Sequence, residues 1–127
     1  MVADASNKIL GRFASEIAGI IRGKRNPKFT PNADTGDYVI VVNADKIRLT
    51  GKRETLKEYR RHSMYPGGEK RISFKELRAK NPEKVILHAV RGMLPKNRLG
   101  DRLIKKLKVY SGNHHPHSAQ NPELLKI

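Results

Sequence analysis

Three histidines crowd into four positions of "GNHHPH" (112–117), and His62 stands beside Ser63 in "HSMYPGG" (62–68). A metal centre needs imidazoles that converge, usually completed by a carboxylate or thiolate. Neighbours in an extended segment point to opposite sides. Pro116 stiffens the spacing, and no Asp or Glu lies nearer than Glu123. A hydrolase needs a nucleophile, a base and a group that orients the base. His62 and Ser63 are adjacent in sequence, which rarely gives that geometry, and no Gly-x-Ser-x-Gly elbow occurs. "LTGKRET" (49–55) holds a Gly-Lys pair without the earlier glycine of a phosphate loop, and "LGR" (10–12) lacks the dinucleotide fingerprint. The chain has no cysteine, so thiol nucleophiles, zinc ribbons and disulfide scaffolds are excluded. The expectation is a protein that is not an enzyme, with no metal, no cofactor and no small-molecule substrate.

"YRRHSMYPGG" (59–68) carries a different chemistry. It interleaves Tyr59 and Tyr65 with Arg60, Arg61 and His62, then adds Gly67 and Gly68, where backbone can approach a sugar-phosphate strand. Cations for phosphates and flat rings for bases suit irregular RNA. A second stretch, "RGMLPKNRLGDRLIKKLKVYSG" (91–112), holds seven Lys and Arg against the single acid Asp101. Over the whole chain 27 basic residues face 12 acidic ones, a net charge of +15. That excess is uneven: residues 1–45 are nearly balanced at six to five, whereas residues 46–80 carry twelve bases to four acids. Clustered like charge repels itself unless a polyanion cancels it, and nucleic acid is the polyanion expected here. No stretch shows the aromatic-rich amphipathic face of a membrane-surface helix. The longest apolar run, "YVIVV" (38–42), falls far short of the roughly 20 residues of a membrane span. A soluble intracellular chain with no membrane partner is expected.

The elements that must hold these groups follow from periodicity. The 127 residues contain no repeat and no linker, which predicts one domain over 1–127. "VADAS" (2–6) predicts a strand, with Ser6 or Asn7 capping the next helix. In "KILGRFASEIAGIIRG" (8–23), Ile9, Leu10, Phe13, Ala14, Ile17, Ile20 and Ile21 recur at helical spacing, and Gly23 stops the helix. Arg12 and Arg22 fall off that face. A loop over 23–37 brings Lys24, Arg25 and Lys28 and leads into the central strand of "DYVIVVNAD" (37–45). Strand, helix, strand is the crossover unit of a parallel sheet. Residues 46–71 predict a strand or extended arm, including Lys52 and ending in the turn "YPGG". A short helix over 73–80 is capped by Ser73. A helix over 81–94 has Asn81 as cap, Pro82 at its first position, and Val85, Ile86, Ala89, Val90 and Met93 as its buried stripe. Pro95 ends it. A helix over 97–108 buries Leu99, Leu103, Ile104 and Leu107, leaving Arg98, Arg102, Lys105, Lys106 and Lys108 outside. With Arg91 and Lys96 of the preceding loop they form a candidate phosphate-binding face. "KVYSG" (108–112) is the last strand, and 113–127 an irregular tail. From the residues alone two alternatives stay open: an architectural DNA-binding protein, and a metal- or His-dependent phosphodiesterase acting through "HHPH".

"GRFASEIAGIIRGK", "FTPNADTGDYVIVVNADKIRLTGK", "RHSMYPGG", "GMLPKNRLG", "LKVYSG" and "HPHSAQNPE" occur in an order that resembles bacterial-type ribosomal protein thirteen of the large subunit, across essentially the whole chain. The resemblance implies a three-layer α/β/α domain with a small, mostly parallel four-stranded sheet. It implies a structural, non-enzymatic protein that binds large-subunit ribosomal RNA early in assembly and neighbours other large-subunit ribosomal proteins, in the cytoplasm or an organelle. It assigns RNA contacts to Arg91, Lys96, Asn97 and Arg98. A second set comprises Arg60, His62, Tyr65, Gly67 and Gly68, and a third His115, His117 and Gln120. Met64 stands where the family form "HSGYPGG" has glycine, and Asn113 and His114 depart from "GPEHPH".

Overall fold

In the computed structural model, which describes residues 1–127, β1 (Val2–Asp4), α1 (Leu10–Arg22) and β2 (Val39–Val42) build the crossover unit. β1 and β2 are parallel, in register from Val2 opposite Ile40 to Asp4 opposite Val42. Helical spacing puts Leu10, Phe13, Ala14, Ile17, Ile20 and Ile21 on the buried face of α1, which ends at Gly23 as expected. Its start differs. Ile9 occupies the cap position, and no side chain caps the helix. Asn7 instead sits in a turn with a left-handed φ of 57°, and residues 7–10 are tied to 46–48, with Asn7 N–H bonding the Lys46 carbonyl, Ile9 bridging Arg48, and Leu10 N–H bonding the Arg48 carbonyl. Neither Ser6 nor Asn7 can therefore reach the first helical turn.

The expected arm is a hairpin. After the single turn of α2 (Arg53–Leu56), β3 (Glu58–His62) and β4 (Glu69–Ser73) pair antiparallel, apart from the main sheet. Ser73 Oγ caps α3 (Phe74–Lys80), accepting the Glu76 N–H at 3.3 Å. α4 (Pro82–Met93) opens on Pro82 as predicted, although the Asn81 side chain makes no cap bond. It buries Val85, Ile86 and Val90, while Ala89 is half-buried. Met93, expected in the buried stripe, is 45% exposed, because Leu94 takes the last core position.

α5 (Arg98–Leu103) is shorter than the helix expected over 97–108. It tightens into a 3₁₀ turn, Ile104–Lys106, and gives way to β5 (Leu107–Val109), where Leu107 and Val109 are buried and Lys108 is exposed. The tail is not wholly irregular. It makes a 3₁₀ turn, Ser118–Gln120, and β6 (Leu124–Leu125), which pairs parallel with β1. The sheet order is β5-β2-β1-β6, all parallel. Val39 and Val41 join the main core with α1 and α4. Ile40 faces the tail, near His117, Gln120 and Pro122. The architecture is thus three-layer α/β/α, with one thin outer layer made by the tail and its turn. Burial on both faces explains the unbroken apolar run of β2.

At the carboxyl end of β1, Asp4 Oδ1 accepts from Asn43 Nδ2 at 3.0 Å and from Ser6 N–H at 2.9 Å. The Asn43 bond, then the Ser6 bond, lower the Asp4 pKa below its ordinary 3.8. A depressed carboxylate pKa adds stability that is full above the unfolded-state value and is lost as pH falls through the folded-state value. Asp4→Asn keeps the acceptor without the charge. Its melting temperature is expected to fall less than that of the wild type between about pH 7 and about pH 2; equal losses would disprove the linkage.

Candidate nucleic-acid interface

Strand alternation sorts the hairpin's side chains. Tyr59 and Ile72 are paired and turned toward the body of the protein, so Arg61 and Lys70, two pairs further out, project from the same face. Arg60 opposite Arg71, and His62 opposite Glu69, take the other face. Like charges directly across a ladder destabilise it. Glu69 alone offsets the arginine pair, at 3.2 Å from Arg71 Nε and 3.9 Å from Arg60 Nε, and Arg61 and Lys70 have no carboxylate partner. The tip is tightly built. Ser63 N–H bonds the Gly68 carbonyl at 3.1 Å and Gly68 N–H the Tyr65 carbonyl at 2.9 Å. A Cβ on Gly68 would lie 2.0 Å from Ser63 Oγ and 2.9 Å from the Tyr65 carbonyl oxygen, so a larger residue there would force the Ser63 side chain aside and press on the turn backbone. Tyr59 and Tyr65 divide their roles. Tyr59 anchors the root edge-on to His88 at 5.2 Å, where burial raises its phenol pKa, whereas Tyr65 is 74% exposed.

The second basic block forms a cleft of about 560 Å³ between the end of α4 and the start of α5, lined by His88, Arg91, Pro95, Lys96, Asn97 and Asp101 among others. Asn97 is first a structural residue: its Oδ1 accepts the Gly100 N–H at 3.0 Å and caps α5. Arg91 lies 4.0 Å from Asp101, both well exposed, an ion pair worth little in water. Lys96, Arg98, Arg102 and Lys105 are exposed and pair with no carboxylate. Lys106 is the correction. Where the helix tightens, its side chain turns inward, leaving the residue 9% exposed. Its ammonium pairs with Asp34, donates to the Gly36 carbonyl at 2.7 Å and lies over the Tyr38 ring. It straps the 23–37 loop to the sheet and is not an outward cation.

The remaining candidates scatter. Arg12, Lys24, Lys28 and Lys52 are exposed, and Arg22 is half-buried. Arg25 pairs with Glu16 at 2.5 Å. In the tail, His117 Nε2 is 2.7 Å from the Tyr110 hydroxyl, and His115 Nδ1 accepts the His117 N–H at 3.3 Å. Both rings are half-buried and Gln120 is exposed. No three His, Cys, Asp or Glu side chains converge anywhere, and no helix is long and apolar enough to cross a membrane.

The sequence reading missed His88, Lys70 and Arg71. His88 lines the cleft and also touches Tyr59, so it joins the hairpin root to the cleft wall and makes two separate basic blocks neighbours. Lys70 and Arg71 could have been found by continuing the strand alternation back through the "YPGG" turn.

A family profile described as ribosomal protein L13 matches residues 1–116. The large ribosomal subunit protein uL13 of Natranaerobius thermophilus is 64% identical over 94% of this chain and 84% of its own length. Its counterpart in Caldicellulosiruptor saccharolyticus is 62% identical over 99% and 89%, and that of Prochlorococcus marinus 55% identical over 99% and 84%. The motif resemblance, the three-layer fold and these alignments agree: the chain belongs to the ribosomal protein L13 family.

Proposed function

We propose that this protein binds large-subunit ribosomal RNA and organises it early in assembly, within the cytoplasmic ribosome and beside neighbouring large-subunit ribosomal proteins. Membership of the family makes it a structural constituent of the ribosome rather than an enzyme. The observation that carries the RNA reading is the contact of Tyr59 with His88, which sets the cationic hairpin against the cleft of Arg91, Lys96 and Arg98. Phosphates entering there meet several cations without carboxylate partners. The root contact fixes the angle between the two surfaces, so separate RNA segments can be held in one relative orientation. The proposed contact set is the one drawn from the sequence without Lys106, extended by Lys70 and Arg71. Asn97 contributes through its free amide nitrogen.

Replacing Arg91, Lys96 and Arg98 together by Ala tests this. None of the three is buried, so thermal unfolding is expected to stay as in the wild type. The slope of log affinity against log salt for large-subunit RNA should fall by about three. An unchanged slope measured by filter binding overturns the assignment of the cleft.

A further inference from the structure

Met64 and Tyr65 form the outermost point of the hairpin, 89% and 74% exposed. Met64 has a φ of 68°, in the left-handed region that non-glycine residues seldom adopt. Its N–H is fixed by His62 Nδ1 at 2.9 Å, and the Ser63–Gly68 and Gly68–Tyr65 bonds close the turn beneath it. Neither backbone preference nor solubility favours a methionine here. Glycine would remove both the strain and the exposed apolar side chain. Strained, over-determined positions of this kind cluster where a ligand is gripped. The surroundings specify the ligand's charge: Arg60, Arg61, Lys70 and Arg71 flank the tip, with Glu69 the one acid among them.

We infer that the Met64–Tyr65 tip is a stacking wedge for an unpaired RNA base, with the Tyr65 ring as platform, Met64 packing alongside, and the hairpin cations holding the adjacent phosphates. The inference rests on the RNA-binding reading and adds the kind of RNA recognised. In a continuous A-form duplex the base faces are covered by their neighbours and the major groove is too narrow for side chains. A ring at a rigid tip therefore gains a stacking partner only at a bulge, loop or junction. Aromatic stacking tolerates every base, so the wedge selects RNA shape rather than sequence.

The test uses the full chain and two RNA stems alike except for one bulged nucleotide, a fluorescent purine analogue that is paired in the second stem. The wild type should prefer the bulged stem by about 5- to 150-fold, the range that base–aromatic stacking spans, and change the analogue's fluorescence on binding. Tyr65→Ala should abolish the preference and the fluorescence change, bringing bulged-stem affinity down to that of the paired stem, because the phosphate contacts persist. Tyr65→Phe should keep both. Met64→Gly should raise the melting temperature and lower the preference. If Tyr65→Ala weakens both stems equally, or neither, the wedge is wrong while RNA binding stands. If the wild type binds neither stem at low salt, the RNA reading fails with it.

Discussion

Raising salt from about 50 to about 200 mM weakens binding to large-subunit RNA roughly 10³- to 10⁵-fold, as expected when about 6–10 phosphates are neutralised and their counterions released. The required cations are present without Lys106. Arg61 and Lys70 on the hairpin, and Lys96, Arg98, Arg102 and Lys105 around the cleft, are exposed and unpaired. Arg91, Arg60 and Arg71 are held only by long or shared contacts with Asp101 and Glu69. Such surface pairs contribute about 0–1 kcal/mol, so a phosphate can displace them cheaply. A pair like Lys106 with Asp34 cannot be recruited this way, because its ammonium already has three protein partners. Affinity measured across a salt series, with far-ultraviolet circular dichroism showing the fold unchanged, decides the matter. A flat response would mean that the +15 net charge serves solubility and that RNA is not its counterpart.

The elements that local patterning controls were legible in the sequence. The 3.6-residue spacing from Leu10 to Ile21, the apolar run of β2 and the proline at the start of α4 each set one element by itself. What the sequence hid depends on distant partners. β6 is two residues long and exists because β1 offers an open edge, which no local signal reports. Lys106 looked exposed because helical spacing was carried through residue 108. The backbone instead changes period twice within four residues, from α to 3₁₀ to strand, and each change rotates the side chains that follow. The other cations of that stretch, Arg98, Arg102, Lys105 and Lys108, stay exposed all the same, because they outnumber the positions that can be buried. The joint at His88 was hidden for the opposite reason: a lone histidine on the outer face of a helix carries no signal until the hairpin root is seen against it.

Gly100→Ala is expected to cost about 1–3 kcal/mol of stability, the usual range for an over-packed site, and to damage the cleft without removing any charge. A Cβ at residue 100 would stand 1.7 Å from the Pro95 carbonyl oxygen and 2.8 Å from its carbon. These are backbone atoms on a loop stiffened by proline, so no side chain can swing aside to make room. Either the loop lifts or α5 shifts, and the Asn97 cap, which bonds the N–H of this same Gly100 at 3.0 Å, is strained with it. Lys96 and Arg98 lie inside the displaced segment, so RNA affinity should fall although both cations remain. Gly92→Ala is the matched control. It also lines the cleft, but its added Cβ would meet nothing within 4 Å, and it sits inside α4, where Ala is favoured over Gly by up to about 1 kcal/mol. Gly92→Ala should therefore melt at or above the wild-type temperature while Gly100→Ala melts below it. If both variants melt alike and bind RNA alike, the close approach of Gly100 to Pro95 does not shape the cleft.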